Sequence, residues 1–150
     1  MKRLILACVA PLCLMMAMPA AAQFQKPEQA VKYRKSVFTV TSQHMSRLRA
    51  MAEGKAPFDP KLAEANANLV AMLAPLPWSA FGEGTNVGNT DAKPEVWSQG
   101  DKFKQASQAY QDEVVKLQAA AKTGNLDQLK AALGATGKSC KACHDSFKKD

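Results

Sequence analysis

The chain has 150 residues and a formal net charge of +7, and this length suits one domain once a short leader is removed. Its lysines and arginines are scattered among acidic residues, without a long run of like charge. The composition therefore argues against nucleic acid as a partner, because a nucleic-acid-binding surface usually shows clustered basic residues.

Residues 1–22 have the pattern of a secretory signal peptide. Lys2 and Arg3 precede an apolar run, and an A-x-A cleavage pattern ends at residue 22. The run is shorter than the roughly 20 apolar residues that a membrane-spanning helix needs, so we expect no membrane anchor after cleavage. The predicted mature chain is exported to the periplasm, begins at Gln23, carries a net charge of +5 and retains two of the four cysteines.

The mature chain begins with two amphipathic helical patterns. The first starts near Pro27 and stops at Gly54. The second has Asp59 as its N-cap, runs through the apolar positions Leu62, Leu69, Met72 and Leu73, and ends at Pro75 and Pro77. One face of the first helix repeats every three or four positions: Val31, Arg34, Phe38, Thr41, Met45, Leu48 and Ala52. Because the link between the helices is short, we expect them to be antiparallel.

Residues 75–93 form the one long irregular segment, which is rich in glycine and has Trp78 and Phe81 near its start. Polar loops seldom carry two large aromatic residues. Two interpretations of these side chains remain open. They either plug the end of the hydrophobic core or cover the edge of a cofactor.

Two further helices follow. Pro94 opens the third, which we expect to be interrupted or kinked near Gly100 and to end at Gly124. Its inner positions are Phe103, Ala106, Tyr110, Val114, Leu117 and Ala121. Asn125 and Gln128 form a capping-box arrangement at the start of the fourth, whose inner positions are Leu126, Leu129, Leu133, Thr136, Cys140, Cys143 and Phe147. The fold class predicted is all-α, an antiparallel four-helix bundle.

The motif C-x-x-C-H occupies residues 140–144, near the end of the fourth helix. This motif is typical of c-type haem attachment, in which two thiols form thioethers with the haem vinyl groups and the histidine ligates iron. On a helix, Cys140, Cys143 and His144 lie at i, i+3 and i+4 and therefore face one side. Because both thiols fall on the inner face, we predict one covalently bound haem c in the core of the bundle.

Three other interpretations of the motif are weaker. A thioredoxin-like dithiol requires a strand before the motif in a βαβ unit, and no strand pattern is visible. A structural zinc site requires four ligands, whereas the mature chain offers only the three motif residues and His44. Two ordinary core cysteines beside a chance histidine would explain the residue types without explaining their spacing.

The whole mature chain, residues 23–150, resembles the class II cytochromes c, most closely the cytochrome c′ family. The resemblance rests on the C-terminal position of the haem motif and on several short segments. These are Gln23-Phe24, Lys26-Pro27-Glu28, Ala30-Val31-Lys32-Tyr33-Arg34, Leu76-Pro77-Trp78, Phe81-Gly82, Lys93-Pro94-Glu95-Val96-Trp97-Ser98 and Cys140-Lys141-Ala142-Cys143-His144-Asp145. The resemblance implies a periplasmic, usually homodimeric, left-handed bundle with five-coordinate high-spin haem iron.

The resemblance also implies individual site residues. His144 is the proximal iron ligand, Phe38 stands over the vacant distal face, and Arg34 lies by the haem propionates or at the pocket edge. Lys148 occupies the place where the family often has arginine, and it lacks the guanidinium fork for bidentate bonding. The other haem-pocket candidates are Trp78, Phe81, Phe103, Tyr110, Phe147 and Lys148.

The residue types on the distal side predict an open sixth coordination position on iron. A low-spin electron carrier needs a second strong ligand such as Met or His, and Phe38 has no lone pair to donate. Met45 lies seven residues further along the same helix, roughly 10 Å along the axis, too far to ligate the same iron. A phenyl wall disfavours water and anions, because they would find no hydrogen bond there, but small neutral diatomic molecules fit.

Two functions follow from this site. The first is reversible binding of nitric oxide or carbon monoxide by a haem protein that can also carry electrons. The alternative is electron transfer to an unidentified redox partner, without any gas-related role. An enzyme is not expected, because no distal pair of acid–base residues of the peroxidase kind is visible. Arg34 alone keeps electrostatic stabilisation of a reaction conceivable.

Overall fold

The computed structural model describes residues 23–149, so the predicted signal peptide lies outside the described part of the chain. The helices of this part are α1 (Pro27–Ala52), α2 (Pro60–Leu73), a 3-10 helix (Leu76–Phe81), α3 (Glu95–Ser98), α4 (Gly100–Lys122) and α5 (Leu126–Phe147). Within residues 23–149, extended pairing is limited to one antiparallel bridge between Ala92 and Lys148. None of the described helices has both the length and the apolarity needed to cross a membrane.

The four long helices form the predicted bundle. Helix α1 packs on α2, α2 on α4, and α4 on α5, while the seam between α5 and α1 closes the ring with the loosest packing of the four. The main core contains thirteen buried residues that come from all four long helices and from the residue after α2: Met45, Leu48, Met51, Ala63, Ala67, Val70, Ala74, Tyr110, Val114, Leu117, Ala121, Leu129 and Leu133. The predicted all-α fold class is therefore confirmed.

Local signals set the helix starts. The Asp59 side chain accepts hydrogen bonds from the backbone N–H groups of Lys61 and Leu62 at 2.9 and 3.1 Å, which satisfies two of the free donors at a helix N-terminus. Asn125 caps α5 in the same way. The predicted capping box is only half right, because the Asn125 N–H donates to the Thr123 hydroxyl at 3.1 Å and not to the Gln128 side chain.

The third predicted helix is interrupted where its sequence indicated. Gln99 separates α3 from α4 with φ −123° and ψ 45°, outside the helical region, and Gly100 is the first residue of α4. The description of residues 75–93 as irregular was wrong for Leu76–Phe81, which form a 3-10 helix. Proline has no N–H but its fixed φ fits the first turn of a helix, so Pro75 and Pro77 end α2 and still permit a short 3-10 turn.

The buried face of α1 largely follows the predicted repeat. Arg34, Thr41, Met45 and Leu48 are buried, together with Val31. Two other predicted inner residues, Phe38 and Ala52, are only half-buried. Val37 and Met51, which precede them, are buried instead, because α1 packs against both α2 and the 3-10 helix. This rotation leaves the Phe38 ring at the border of the core.

Candidate functional site

The last two turns of α5 carry the three residues of the haem motif. Cys140 and Cys143 are free thiols and half-buried, whereas His144 is exposed. Cys140 packs against the main core, and Cys143 packs against a smaller cluster made by Ala92, Val96 and Phe147. The motif therefore lies where the two clusters meet, with its histidine toward solvent.

The electrostatic surroundings keep all three groups uncharged near neutral pH. Burial raises the pKa of the Cys143 thiol to about 11, with the neighbouring Cys140 as the second cause. Burial likewise raises the pKa of Cys140. The pKa of His144 is lowered, first by partial burial of the ring and then by the Lys148 ammonium, while Asp145 opposes the shift. A neutral imidazole has a lone pair available for a metal.

These three residues fit a haem better than a bare metal ion. Among residues 23–149, no group of three or more His, Cys, Asp or Glu side chains is arranged to hold a metal ion. His44, the fourth candidate ligand for zinc, has its Nδ1 atom 2.8 Å from Oδ1 of Asn66 on α2, so it joins α1 to α2. Two thiols and one imidazole are the complete protein contribution to a haem c with one axial ligand.

The six aromatic residues predicted for the pocket form one continuous cluster, called here the aromatic cluster: Phe38, Trp78, Phe81, Phe103, Tyr110 and Phe147. The Phe38 ring meets Trp78 edge-on at 5.7 Å between centroids, and Trp78 meets Phe103 at 5.8 Å. Phe103 in turn meets Phe147 at 5.3 Å. The cluster thus connects the predicted distal residue of α1 with the residue three positions after His144.

Trp78 and Phe81, the two aromatic residues of segment 75–93, both belong to the aromatic cluster. Trp78 packs against the main core, and its Nε1–H donates to the carbonyl oxygen of Ala74 at 2.7 Å. Phe81 lies 4.9 Å from Phe103. Both rings therefore pack at one end of the core, as the first interpretation of residues 75–93 predicted. That they also cover the edge of a cofactor stays a prediction.

Arg34 is 2% exposed and binds both the 3-10 helix and the segment that follows it. Its guanidinium donates to the carbonyl oxygens of Ala80 and Thr85 at 2.6 and 3.0 Å, and to the hydroxyl oxygens of Thr85 and Thr90 at 3.0 and 2.8 Å. It also lies 4.4 Å from the centre of the Phe81 ring, and burial lowers its pKa. The position of Arg34 by the haem propionates or at the pocket edge, which the resemblance implies, stays a prediction. Its threonine partners carry no recognisable signal in the sequence.

The C-terminal tail is paired with residues 91–93, which sequence reasoning also missed. The backbone N–H of Lys93 donates to the Phe147 carbonyl oxygen at 2.9 Å, and the Lys149 N–H donates to the Asp91 carbonyl oxygen at 2.7 Å. The Lys148 ammonium donates to the Lys149 carbonyl oxygen at 3.0 Å and is exposed. Lys148 therefore lies on the histidine side of the motif, but its side chain turns toward the tail.

The chain matches the family model described as Cytochrome C' over residues 29–148. A cytochrome c′ from Rubrivivax gelatinosus is 54% identical over 127 residues, which cover 84% of this chain and 98% of that protein. Two similar solved structures are variants of cytochrome c prime from Alcaligenes xylosoxidans. One is an arginine-to-lysine variant, ferrous with bound nitric oxide (51% identity, TM-score 0.81, 85% of this chain and 99% of that one).

The second solved structure from Alcaligenes xylosoxidans is a leucine-to-glycine variant with bound carbon monoxide. It is 50% identical with a TM-score of 0.81, and the match covers 85% of this chain and 100% of that one. Cytochromes c′ bind haem c covalently through cysteines, and the described residues include two cysteines. The match spans the bundle from α1 to the tail, and the motif of α5 lies inside it. This chain therefore belongs to the cytochrome c′ family.

Proposed function

We propose that this protein is a periplasmic haem protein whose iron has one axial protein ligand, binds nitric oxide and carbon monoxide, and can carry electrons. Cys140 and Cys143 hold the haem, and His144 is the proximal ligand. When bound, the haem supplies an iron atom that accepts a diatomic ligand or a single electron. The observation that carries the proposal is the placement of Phe38 within the aromatic cluster.

The aromatic cluster supports an open distal position with a hydrocarbon wall. Phe38 is half-buried and meets Trp78 at 5.7 Å and Phe81 at 6.5 Å. Its ring offers no lone pair to iron and no hydrogen bond to a bound anion or water. A small neutral ligand enters when the ring shifts, and the two neighbouring aromatic rings limit how far it shifts.

The same contacts support a binding protein over an enzyme. Peroxidase-like chemistry uses a positioned acid–base group on the open face. The one charged candidate, Arg34, donates one hydrogen bond to Ala80 in the 3-10 helix and three to Thr85 and Thr90 in the segment after it, and no carboxylate pairs with it within residues 23–149. In this proposal Arg34 supports the pocket wall through Phe81 and does not meet the ligand.

The structures of the related Alcaligenes protein with nitric oxide and with carbon monoxide support the gas-binding part. The test is a titration of the purified ferrous holoprotein with each gas, followed by its visible spectrum. We expect saturable spectral changes with both gases, and none with cyanide at matched concentration in the ferric form. If neither gas changes the spectrum, gas binding is contradicted and the alternative function, an electron-transfer cytochrome without a gas-related role, is favoured.

The proposal includes a homodimer formed through the outer face of α2. Apolar residues lie there at alternating steps of three and four: Leu62, Ala65, Leu69, Met72 and Leu76, the last in the 3-10 helix. All five are exposed, and Met72 is 68% exposed. This spacing is the pattern that lets two helices pack along a common seam, so a second copy of the chain is the occupant that the face fits.

Export to the periplasm is proposed from the pattern of residues 1–22. Cleavage after Ala22 leaves Gln23 as the first residue of the mature chain. N-terminal analysis of the protein purified from a periplasmic extract tests this directly, and a chain that retains Met1 would contradict it.

A further inference from the structure

A groove of about 420 Å³ runs along the seam between the end of α1 and the middle of α5. Four exposed basic side chains surround it: Arg49 from α1, and Lys130, Lys138 and Lys141 from α5. The only acidic side chain among its lining residues is Glu53. The basic residues that appear scattered in the sequence are thus brought together by the fold.

Charges near the groove leave it strongly positive. Glu53 is paired with Lys55 at 2.6 Å, and Lys141 is paired with Asp145 at 2.6 Å. The groove cations that make no ion pair within residues 23–149 are Arg49, Lys130 and Lys138. Exposed ion pairs are weak, so Lys141 can also exchange its carboxylate for that of a partner.

The floor of the groove is open because of two glycines. A Cβ atom added to Gly134 or to Gly137 would meet no atom within 4 Å. Helix α5 continues without interruption through both positions, so they neither kink the helix nor admit a close neighbour within the described chain. Glycine destabilises a helix interior relative to alanine. Their structural consequence is a concave surface that reaches down to Leu133 and Ala52.

We propose that this groove docks the acidic surface of a partner protein beside the haem motif. Lys141 lies between Cys140 and Cys143 in the chain, so a partner seated on the groove would contact the turn that carries the thiols. The purpose of this docking, electron exchange with the haem, rests on the proposed function, whereas the docking itself is argued from the groove alone. Long-range attraction between a basic groove and an acidic surface speeds association and orients it.

The shape of the groove favours a protein over a membrane. Carboxylate side chains of a partner protrude and can enter a concave site, reaching Lys130 and Lys138 on one wall and Arg49 on the other. A flat anionic bilayer would meet only the tips of the rim residues. The uncharged floor provides space for the stems of the entering side chains.

The test measures binding of a fluorescent poly-L-glutamate peptide to the ferric holoprotein at low ionic strength. The variant Lys130→Glu/Lys138→Glu should bind roughly tenfold more weakly, since it replaces two attractions by two repulsions. The matched control Lys32→Glu/Lys104→Glu makes the same charge change at exposed positions of α1 and α4 that do not line the groove, and should stay within about twofold of the unmodified protein.

A second variant tests shape without a change of charge. Gly134→Leu/Gly137→Leu fills the floor and should also weaken peptide binding, although it leaves all four cations in place. Equal losses in the groove and control charge variants would overturn the proposal, as would tighter binding to phosphatidylglycerol vesicles than to the peptide. Because these assays measure association alone, they separate failure of the groove from failure of gas binding.

Discussion

The guanidinium of Arg34 donates a hydrogen bond to the hydroxyl oxygen of Thr90 at 2.8 Å, which joins α1 to the segment that holds the C-terminal tail. The carbonyl oxygen of Thr90 in turn accepts a hydrogen bond from the Lys149 ammonium at 3.2 Å. Three residues after Thr90, the backbone N–H of Lys93 donates a hydrogen bond to the carbonyl oxygen of Phe147 at 2.9 Å. Residues 85–93 therefore connect Arg34, on the predicted distal side, to the tail that follows His144, the predicted proximal ligand.

Replacement of Arg34 by methionine should destabilise the protein by about 2–3 kcal/mol. The carbonyl oxygens of Ala80 and Thr85 would lose a buried donor, and each buried polar group without a partner costs roughly 1–3 kcal/mol. The neighbouring Lys35→Met is the matched control, because Lys35 bonds to Asn89 and Asp91 at the surface and should cost less than about 1 kcal/mol. Urea unfolding of both holoproteins, followed by circular dichroism, compares them. Equal losses in the two variants would show that the buried hydrogen bonds of Arg34 do not stabilise the protein.

Phe38→Ala should raise the affinity for carbon monoxide on the order of tenfold. In the unmodified protein, carbon monoxide must displace the half-buried phenyl ring, which costs roughly 1 kcal/mol of apolar contact. The alanine variant does not bear this cost, and about 1.4 kcal/mol corresponds to a tenfold change in affinity. Tyr33→Ala on α1 is the control, because the Tyr33 ring contacts Phe24 and not the aromatic cluster. Stopped-flow mixing of the ferrous variants with carbon monoxide measures both rates. Unchanged binding by Phe38→Ala would remove this residue from the distal wall.

The apolar outer face of α2 predicts which substitutions would weaken the proposed dimer. Leu69→Glu/Met72→Glu places two charges per chain in the proposed interface and should weaken self-association by roughly 100-fold or more, since unpaired buried charges cost several kcal/mol. Val115→Glu, on α4 and also largely exposed, should leave the association constant unchanged. Sedimentation equilibrium measures both constants. A dimer that persists in the α2 variant would place the interface elsewhere.

Two glycines should respond oppositely to alanine. Gly137→Ala should stabilise the protein by about 0.5–1 kcal/mol, because the position is helical and the added Cβ meets nothing. Gly124→Ala should destabilise it by about 1 kcal/mol or more, because its φ of +66° is unfavourable for alanine. Thermal unfolding of the two variant holoproteins, compared with the unmodified protein, measures the sign of each change in stability. A loss of stability in Gly137→Ala would mean that the floor of the groove is packed against something.

Local signals in the sequence were sufficient to predict the four long helices. Asp59 and Asn125 cap the helices that follow them, and the spacing of Cys140, Cys143 and His144 is a property of one helix. The contacts of Arg34 were not predictable in this way, because Thr85 and Thr90 lie 51 and 56 residues away. Threonines in a polar segment give no sign of a buried partner.

The basic groove was missed for a related reason. Arg49 and Lys138 come from helices that are far apart in sequence, and their proximity depends on the packing of α1 beside α5. The 3-10 helix was missed because two prolines were interpreted only as a helix end. Long-range packing, which periodicity does not encode, therefore accounts for most of what the sequence left unpredicted.

The measurement that tests the central claim most directly is the visible spectrum of the reduced protein purified from the periplasm. One imidazole on iron and a phenyl ring opposite predict a broad, high-spin spectrum from a covalently attached haem. A sharp, split low-spin spectrum would show that a second side chain ligates the iron and would contradict the proposed open face.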